Sequence, residues 1–460
     1  MPKIVAMTAS SPAIPVASVG EPQREGRALE GMIVIAIRLA GAGLGFLAQI
    51  LAARLIGPEE FGRYSVILVW LLLMGHASTA GSNQVICRFL SHYGVAGDAA
   101  RSAGLLRFSL VATAFLSCLV AAIAIAVATI APFELDPAYA AIGALGFMAV
   151  PLLTLQEYLE AISRGIDRPS LGIGPAYIMR HLALTVGLAG LLVLGAEADA
   201  LTVMALTMAG LLASVLVQAY LLRAHLNRLL KGARPIYDIR AWLRSALPVS
   251  LVDATDVLFL NADILILGLF AEAELVAFYF AATRLAQMLG YVPYGVSAVS
   301  AQRFAALQTS RDGAKLQSMI QTAALGSTAL SMAGAVVLTA AATLLLSLFG
   351  PGFETAAHVV PILCAGVVLT CLFGPGEDVL TMLGQEKACS LAYALALAAN
   401  VGLNFLLIPF FGLTGAATAT ALALGLRGLL LAWFAHQRLG LVLPAGATVF
   451  VSGRRDRVSS

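Results

Sequence analysis

The sequence is poor in charged residues and in cysteine. Only 12% of its 460 residues are charged, about half of the roughly 25% found in ordinary soluble domains. Together with a mean hydropathy of +0.91, this shortage excludes a soluble globular protein. The five cysteines form no C-x-x-C pair, and four of them lie within or at the ends of apolar runs. We therefore expect neither disulfides nor a metal site.

Long polar segments are also missing between residues 31 and 436, where apolar runs follow one another. A run of about 20 apolar residues crosses the hydrocarbon core of a bilayer as a helix. Runs such as VILVWLLLM are apolar on all sides, whereas barrel strands would alternate polar and apolar residues. No stretch remains that could fold a catalytic domain, so we expect no enzyme. The sequence predicts an all-α polytopic membrane protein.

Twelve predicted spans divide the chain. Numbered 1 to 12, they lie near residues 31–53, 64–86, 107–131, 138–159, 171–195, 200–222, 246–270, 276–300, 320–349, 358–382, 389–408 and 413–436. The first 30 residues are rich in Pro, Ser, Gly and charge, without a cleavable apolar core. We expect a disordered tail there and no signal peptide.

The basic residues are distributed unevenly across these spans. With the N-terminus placed in the cytoplasm, 22 of the 28 Lys and Arg residues fall on the cytoplasmic side. Only Arg54 and Arg63 fall on the opposite side, and four arginines lie inside spans. This bias follows the positive-inside rule. An odd number of spans would scramble it, so the sequence predicts twelve, with both chain ends in the cytoplasm.

The second half of the chain weakly repeats the first. APFELDPAYAAIGAL resembles LFGPGFETAAHVVPIL, and SRGIDRPS resembles LGQEKACS, at nearly the same offset in sequence. Six crossings return the chain to its starting side, so the repeat predicts two parallel six-helix lobes around a central cavity. The predicted units are a cytoplasmic tail (1–30), a first lobe (31–222), a basic cytoplasmic linker (223–245), a second lobe (246–438) and a second cytoplasmic tail (439–460).

Arginines inside the spans mark the predicted cavity. An ionisable residue at the bilayer centre costs at least about 2.5 to 3.5 kcal/mol and persists only when it is paired or lines water. The candidate substrate-binding residues are Arg38, Arg180, Arg284 and Arg427.

Span 7 carries three aspartates, Asp253, Asp256 and Asp263, within about an 80° arc of the helix. They are candidates for a proton or sodium site. Depth counting places Asp256 near Arg284, so a structural ion pair is the other interpretation.

Structural roles remain open for several polar groups. Arg38, Arg180 and Arg427 could extend to the inner headgroups. Carboxylates near the cytoplasmic ends of spans 4 and 10 could reach interfacial water: Glu157, Glu160, Glu377 and Asp378. Polar residues expected to serve packing are Asn400, Asn404 and His181. Prolines expected to kink or break their helices are Pro151, Pro248, Pro293 and Pro361.

Four segments resemble a known family. LAARLIGPEEFGRYS at 51–65 is similar to the A-R-x-L-G-P-E-x-[FY]-G-x-Y pattern that follows the first helix of bacterial polysaccharide-export flippases. NADILILGLFAEAELVAFYFAATRLAQML at 261–289, LFGPGFETAAHVVPILCAG at 348–366 and ANVGLNFLLIPFFGLTGAATAT at 399–420 follow in the family's order. The chain thus resembles the O-antigen and exopolysaccharide flippases of the multidrug, oligosaccharidyl-lipid and polysaccharide exporter superfamily.

The resemblance implies a V-shaped cavity between two six-helix lobes in the cytoplasmic membrane of a bacterium. Its implied cargo is an undecaprenyl-pyrophosphate-linked oligosaccharide, moved from the inner to the outer leaflet by alternating access. No cofactor and no nucleic-acid partner are expected, and a polysaccharide polymerase or export assembly is a candidate partner. The family motifs carry over at Arg54, Gly57, Glu60, Gly62, Tyr64, Asp263, Tyr279, Arg284, Asn404, Pro409 and Gly415.

Three other classes compete with this interpretation. A cation-coupled multidrug exporter of the same superfamily would favour acidic and aromatic groups over four buried arginines. A major facilitator carrier usually has a G-x-x-x-D-R-x-G-R pattern between helices 2 and 3, which CRFLSHYGVAGDAARSAG lacks. A lipid-linked glycosyltransferase or polymerase would need a large outer loop with catalytic carboxylates, and the predicted outer loops are short.

Overall fold

The computed structural model describes residues 21–130, 137–309 and 312–446, which are almost entirely helical and contain no strand. Nine helical segments in this part of the chain are long and apolar enough to cross a membrane. Two of them, Glu30–Ser78 and Glu386–Leu439, have 49 and 54 residues, too many for a single crossing of about 20 residues.

Sharp bends at two glycines divide these long segments. Gly57 has φ 79° and ψ 169° inside Glu21–Ser78, and Gly412 has φ 54° and ψ −128° inside Glu386–Leu439. Positive φ is a conformation that glycine adopts without steric cost. The first bend separates spans 1 and 2, and the second separates spans 11 and 12.

The remaining spans are formed by the following helices. Span 2 is followed by Ser82–Ala96, span 3 is Ala99–Ile130, span 4 is Pro137–Met148 with Val150–Gly165, and span 6 is Ala200–Leu229. Span 5 is Pro169–Gly174 and Arg180–Leu194, joined by the π-helical turn Pro175–Met179. Span 7 is Ile239–Phe259 with Ala262–Phe270, and span 8 is Ala273–Gln287 and Tyr291–Thr309, joined by the 3₁₀ turn Met288–Gly290. Span 9 is Gly313–Ser347, and span 10 is the 3₁₀ helix Phe353–Val359 with Val360–Leu372 and Gly376–Met382. The predicted all-helical architecture of about twelve spans is confirmed.

Three of the four highlighted prolines lie at helix breaks. Pro151 and Pro361 are in the first turn of Val150–Gly165 and Val360–Leu372, and Pro293 closely follows the turn Met288–Gly290. Proline lacks an N–H group, so the first turn of a helix accommodates it at little cost. Pro248 lies inside Ile239–Phe259, where the helix continues.

The predicted linker is largely helical. Span 6 continues to Leu229 and span 7 begins at Ile239, so only residues 230–238 separate the two helices. Trp242 is buried, and its Nε1 donates a hydrogen bond to Tyr93 Oη at 3.1 Å. The start of span 7 therefore packs on the first lobe. The boundaries of the predicted units stay a prediction.

The two lobes meet closely at the end opposite the chain termini. We call this contact the outer junction, formed by Arg54, Phe61 and Gly62 with Ala273, Phe280, Leu348, Phe349 and Phe353. The Phe61 ring centroid lies 5.8 Å from that of Phe280 and 6.1 Å from that of Phe353. Arg54 Nε donates a hydrogen bond to the Leu348 carbonyl at 2.5 Å. A Cβ atom on Gly62 would lie only 1.8 Å from the Ala273 carbonyl oxygen, so the backbones touch.

Toward the end that carries the termini, span 7 packs on the first lobe, while spans 1 and 8 meet through long side chains. Among the described residues, the lobes also contact each other extensively in a second place. There, span 7 packs against spans 1 to 3. Spans 1 and 8 are bridged farther from the junction by the long side chains of Arg38 and Tyr294. Arg38 lies about 28 Å along span 1 from Gly57. The lobes are therefore in backbone contact at the outer junction, and spans 1 and 8 are joined by long side chains toward the terminal end.

We predict that the terminal end faces the cytoplasm, because most basic residues lie on this side. Reporter fusions after Glu197, in the connection between spans 5 and 6, and after Ala233, between spans 6 and 7, test this orientation. Alkaline phosphatase is expected to be active only at residue 197, and green fluorescent protein to fluoresce only at residue 233. The reverse pattern would contradict the orientation.

We also predict that Gly62→Val opens the outer junction, because the added side chain overlaps the Ala273 carbonyl. A cysteine placed at Phe280, which is fully buried, should then react faster with a membrane-impermeant maleimide in a cysteine-free background. Gly190→Val is the control, since a Cβ at Gly190 meets nothing within 4 Å. Equal labelling of the two variants would contradict the close contact.

Candidate substrate cavity between the lobes

Arg38 on span 1 contacts aromatic rings of both lobes. Its guanidinium carbon lies 5.4 Å from the ring centroid of Tyr177 on span 5 and 5.3 Å from that of Tyr294 on span 8. Cations are attracted to aromatic faces at such distances, which stabilises a charge in a region of low polarity. Arg38 Nε is buried and has no hydrogen-bond partner among the described residues. Among the described residues Arg38 forms no ion pair, so its charge is stabilised by these ring contacts.

Arg284 lines a cavity of about 180 Å³ between the lobes. Its Nη1 donates to Gln287 Oε1 at 2.7 Å and its Nη2 to Asn261 Oδ1 at 3.3 Å, while the guanidinium carbon lies 4.4 Å from the Phe280 ring centroid. Within the described part of the chain, Arg284 Nε has no partner. The other lining residues include Gln49, Tyr177, His181 and Tyr291.

Two glycines of span 1 allow span 5 to approach this cavity. A Cβ on Gly41 would lie 2.7 Å from Tyr177 Cβ, and one on Gly45 would lie 3.1 Å from His181 Nε2. Any larger side chain would move Tyr177 and His181 away from span 1. The small residues therefore position two of the cavity's side chains.

Arg180 lies beside the cavity, at the start of the helix that follows the π-helical turn. Its Nη2 donates to His181 Nε2 at 3.3 Å, and His181 Nδ1 donates to the Tyr177 carbonyl at 2.7 Å. Both ring nitrogens of His181 are thus in use, as expected for an interior histidine. Tyr177 and His181 link the surroundings of Arg38, Arg180 and Arg284 into one region.

Arg427 lies in a different cavity, inside the second lobe. Its guanidinium carbon is 5.0 Å from the ring centroids of both Phe259 and Tyr393. This second-lobe cavity has a volume of about 420 Å³ and is also lined by Asp263 and Thr420. The structure therefore brings three of the four candidate arginines to one region and places the fourth elsewhere.

Asp263 is buried and fully surrounded by hydrogen-bond donors. Its carboxylate accepts from Tyr279 Oη at 2.7 Å, from Thr420 Oγ1 at 3.0 Å and from the Ile264 amide at 2.8 Å. These bonds join spans 7, 8 and 12. In this conformation Asp263 acts as a structural link, and its role as an ion-coupling residue stays a prediction.

The other two aspartates of span 7 cannot be placed in the same way. The side chains of Asp253 and Asp256 lie outside the part of the chain that the structure describes. The expected pair of Asp256 with Arg284 stays a prediction, and the described partners of Arg284 are Gln287 and Asn261.

Most residues of the family motifs hold the helices together. Arg54 and Gly62 form the outer junction, and Gly57 makes the bend between spans 1 and 2. Glu60 binds Arg63 and accepts from the Ala200 amide at 3.2 Å, which ties span 2 to the start of span 6. Tyr64 Oη lies 3.0 Å from Thr207 Oγ1 of span 6.

The motif residues near the second bend are likewise packed against the backbone. Asn404 donates to the Asn400 carbonyl at 2.9 Å, and both side chains are fully buried. Pro409 precedes the bend at Gly412. A Cβ on Gly415 would lie 2.4 Å from the Leu407 carbonyl oxygen, so only glycine fits this tight turn.

The carboxylates near the terminal-side ends of spans 4 and 10 also have protein partners. Glu157 lies 3.4 Å from His76 and accepts from Asn83 at 3.3 Å, and Glu160 lies 4.0 Å from Arg164. On span 10, Glu377 accepts from Tyr393 and Asp378 from Ser297.

Sequence reasoning missed the uncharged residues of the cavity. The signal is a polar stripe on span 8, where Arg284, Gln287, Tyr291 and Tyr294 follow one another at intervals of three and four residues. This spacing places them on one face of a helix. Three of these four side chains are uncharged, so a search for charged residues does not find them.

The chain matches the family model described as "Polysaccharide biosynthesis protein" over residues 29–301, more than half of its length. It belongs to this family. A search of curated proteins found no match.

Solved transporter structures share the fold at low sequence identity. An inward-facing multidrug resistance MATE family transporter of the MOP superfamily matches with a TM-score of 0.71 and 16% identity, over 89% of this chain and 98% of the other. Lipid II flippase MurJ in an inward closed conformation matches with a TM-score of 0.68 and 12% identity, over 87% of each chain. A MOP superfamily transporter from Pyrococcus furiosus matches with a TM-score of 0.64 and 15% identity, over 92% and 96%. These matches, with the family, confirm the resemblance inferred from the motifs.

We predict that Tyr279→Phe destabilises the second lobe, because it removes a hydrogen bond from the buried Asp263 carboxylate. A cost of about 1 to 3 kcal/mol is expected for such a loss. Thermal unfolding of the purified protein should show a lower midpoint than for Tyr237→Phe, which alters an exposed tyrosine. Equal midpoints would show that the bond contributes little.

Proposed function

We propose that this protein flips an undecaprenyl-pyrophosphate-linked oligosaccharide from the inner to the outer leaflet of a bacterial cytoplasmic membrane. The observation that carries the proposal is the pair Arg38 and Arg284, which are half-buried between the lobes and form no ion pair with a carboxylate among the described residues. A guanidinium in a membrane span without a carboxylate partner is costly unless water or an anion reaches it. Membership in a polysaccharide biosynthesis family supports a glycan cargo.

The chemistry of the cavity suits both parts of the proposed headgroup. Arginine binds phosphate oxygens with paired, charge-assisted hydrogen bonds. Sugars present apolar ring faces and hydroxyl groups, which match the rings of Tyr177 and Tyr291 and the amides of Gln49 and Gln287. A volume of about 180 Å³ equals roughly six water molecules, so the cavity holds a pyrophosphate and adjoining groups while the remaining sugars extend beyond it.

Translocation then requires only rocking of the lobes. The headgroup enters from the terminal side, binds at the arginines and leaves after the outer junction parts, while the polyprenyl chain stays in the bilayer. No covalent bond is broken. Coupling to protons or sodium through Asp253, Asp256 or Asp263 belongs to the proposal, as does association with a polymerase or export assembly.

The alternative is a cation-coupled multidrug exporter. Three guanidiniums near the cavity would repel a cationic drug, so the geometry favours the anionic lipid-linked cargo.

Flipping can be measured in liposomes that contain the purified protein and a fluorescent undecaprenyl-pyrophosphate oligosaccharide. We predict that Arg38→Ala and Arg284→Ala each slow its transfer at least about tenfold, since each removes a charge-assisted hydrogen bond worth about 1.5 kcal/mol or more. Arg284→Lys should be intermediate, because lysine keeps the charge and loses the planar fork.

The matched control is Arg101→Ala, whose side chain is half exposed and pairs with Asp98 outside the cavity. All variants should elute as the wild-type protein does in size-exclusion chromatography. Wild-type liposomes that fail to flip several glycans but export small organic cations under a proton gradient would refute the flippase and support the alternative.

A further inference from the structure

A large apolar groove follows the outer half of the lobe contact on the membrane side. It has a volume of about 940 Å³ and lies between spans 2, 3 and 4 of the first lobe and the junction of spans 7 and 8. Its walls include Val66, Trp70, Ile123, Val127 and Leu269, of which Ile123, Val127 and Leu269 are more than half exposed. Because these residues lie in membrane spans, the groove faces lipid chains.

The groove is long enough for a lipid chain. It extends along span 2 from Glu59 to Met74, which corresponds to about 22 Å of helix. One leaflet contributes about half of the roughly 30 Å hydrocarbon core. The groove therefore spans the depth of the leaflet opposite the chain termini.

Both lobes contribute to the groove. Val66 packs on Gly268, where a Cβ would lie 3.3 Å from Val66 Cγ2, and nearby Gly62 meets Ala273. A molecule seated in the groove would thus touch span 2 and the start of span 8 together. Its binding depends on the outer junction being closed.

The membrane-surface end of the groove carries a net negative charge. Among the described residues, the charged side chains that line it are Glu59, Glu272, Glu274 and Arg63. Arg63 already binds Glu59 at 2.7 Å and also Glu60, so its charge is neutralised locally. An anionic headgroup, including a pyrophosphate, would be repelled there. A primary ammonium group has three N–H donors and would donate hydrogen bonds to these carboxylates. A quaternary ammonium group has no N–H donor.

We propose that this groove binds a phospholipid with a primary-amine headgroup, such as phosphatidylethanolamine, and that the bound lipid stabilises the closed outer junction. The acyl chain lies along Val66 and Trp70, and the ammonium group contacts Glu272 and Glu274. This lipid is a structural partner distinct from the cargo, so the proposal does not depend on flipping.

Native mass spectrometry of the full chain can count bound lipids after adding phosphatidylethanolamine, phosphatidylcholine or phosphatidylglycerol with identical acyl chains. Wild-type protein should retain the ethanolamine lipid preferentially. The double variant Glu272→Gln/Glu274→Gln should lose this preference. Retention of the ethanolamine lipid relative to the other lipids should fall about threefold for each carboxylate removed. Glu354→Gln, an exposed carboxylate outside the groove, should retain it.

Equal retention of the three lipids by the wild type, or an unchanged preference in the double variant, would overturn the proposal.

The effect of the lipid on the conformation of the outer junction is measured separately. A cysteine at Phe280 should react more slowly with impermeant maleimide in ethanolamine-lipid vesicles than in choline-lipid vesicles, and the double variant should abolish the difference. Equal rates in the two wild-type samples would show that the lipid does not hold the junction closed.

Discussion

The backbone contact between Gly62 and Ala273 is the constraint on which the rest of the structure depends. It leaves no space for a side chain, and the Phe61 cluster seals the surrounding volume with large rings. Spans 2 and 8 touch at this end, whereas toward the other end spans 1 and 8 are bridged by the long side chains of Arg38 and Tyr294. The candidate cavity lies on the terminal side of this contact, and Ala273 also lines the membrane-facing groove.

Aromatic rings stabilise the buried guanidiniums of this protein. Arg38, Arg284 and Arg427 each lie within about 5.5 Å of one or two ring centroids, and a cation gains attraction from the ring face where water is scarce. The rings beside Arg38 and Arg284 carry no formal charge, unlike a carboxylate. This arrangement stabilises the charge without neutralising it, which a site for a transient anion needs.

The aspartates of span 7 show the limits of charge counting. Their shared face stays a prediction, and Asp263 is satisfied by Tyr279 and Thr420, which lie 16 and 157 residues away in sequence. Hydroxyl partners carry no charge, so a search for opposite charges does not find them. In the same way, the tyrosines and glutamines of the cavity contributed nothing to a prediction based on ionisable residues.

The sequence by itself determined the helical class, the number of spans and the family, because hydropathy, charge bias and local motifs are properties of consecutive residues. It also proposed Arg38, Arg180, Arg284 and Arg427 as the arginines of one cavity. Tertiary structure alone decided that Arg427 belongs to a separate cavity and that Asp263 links three helices. The physical reason is that the direction of a side chain depends on how helices pack, and here that packing is set by distant small residues such as Gly41, Gly45 and Gly62.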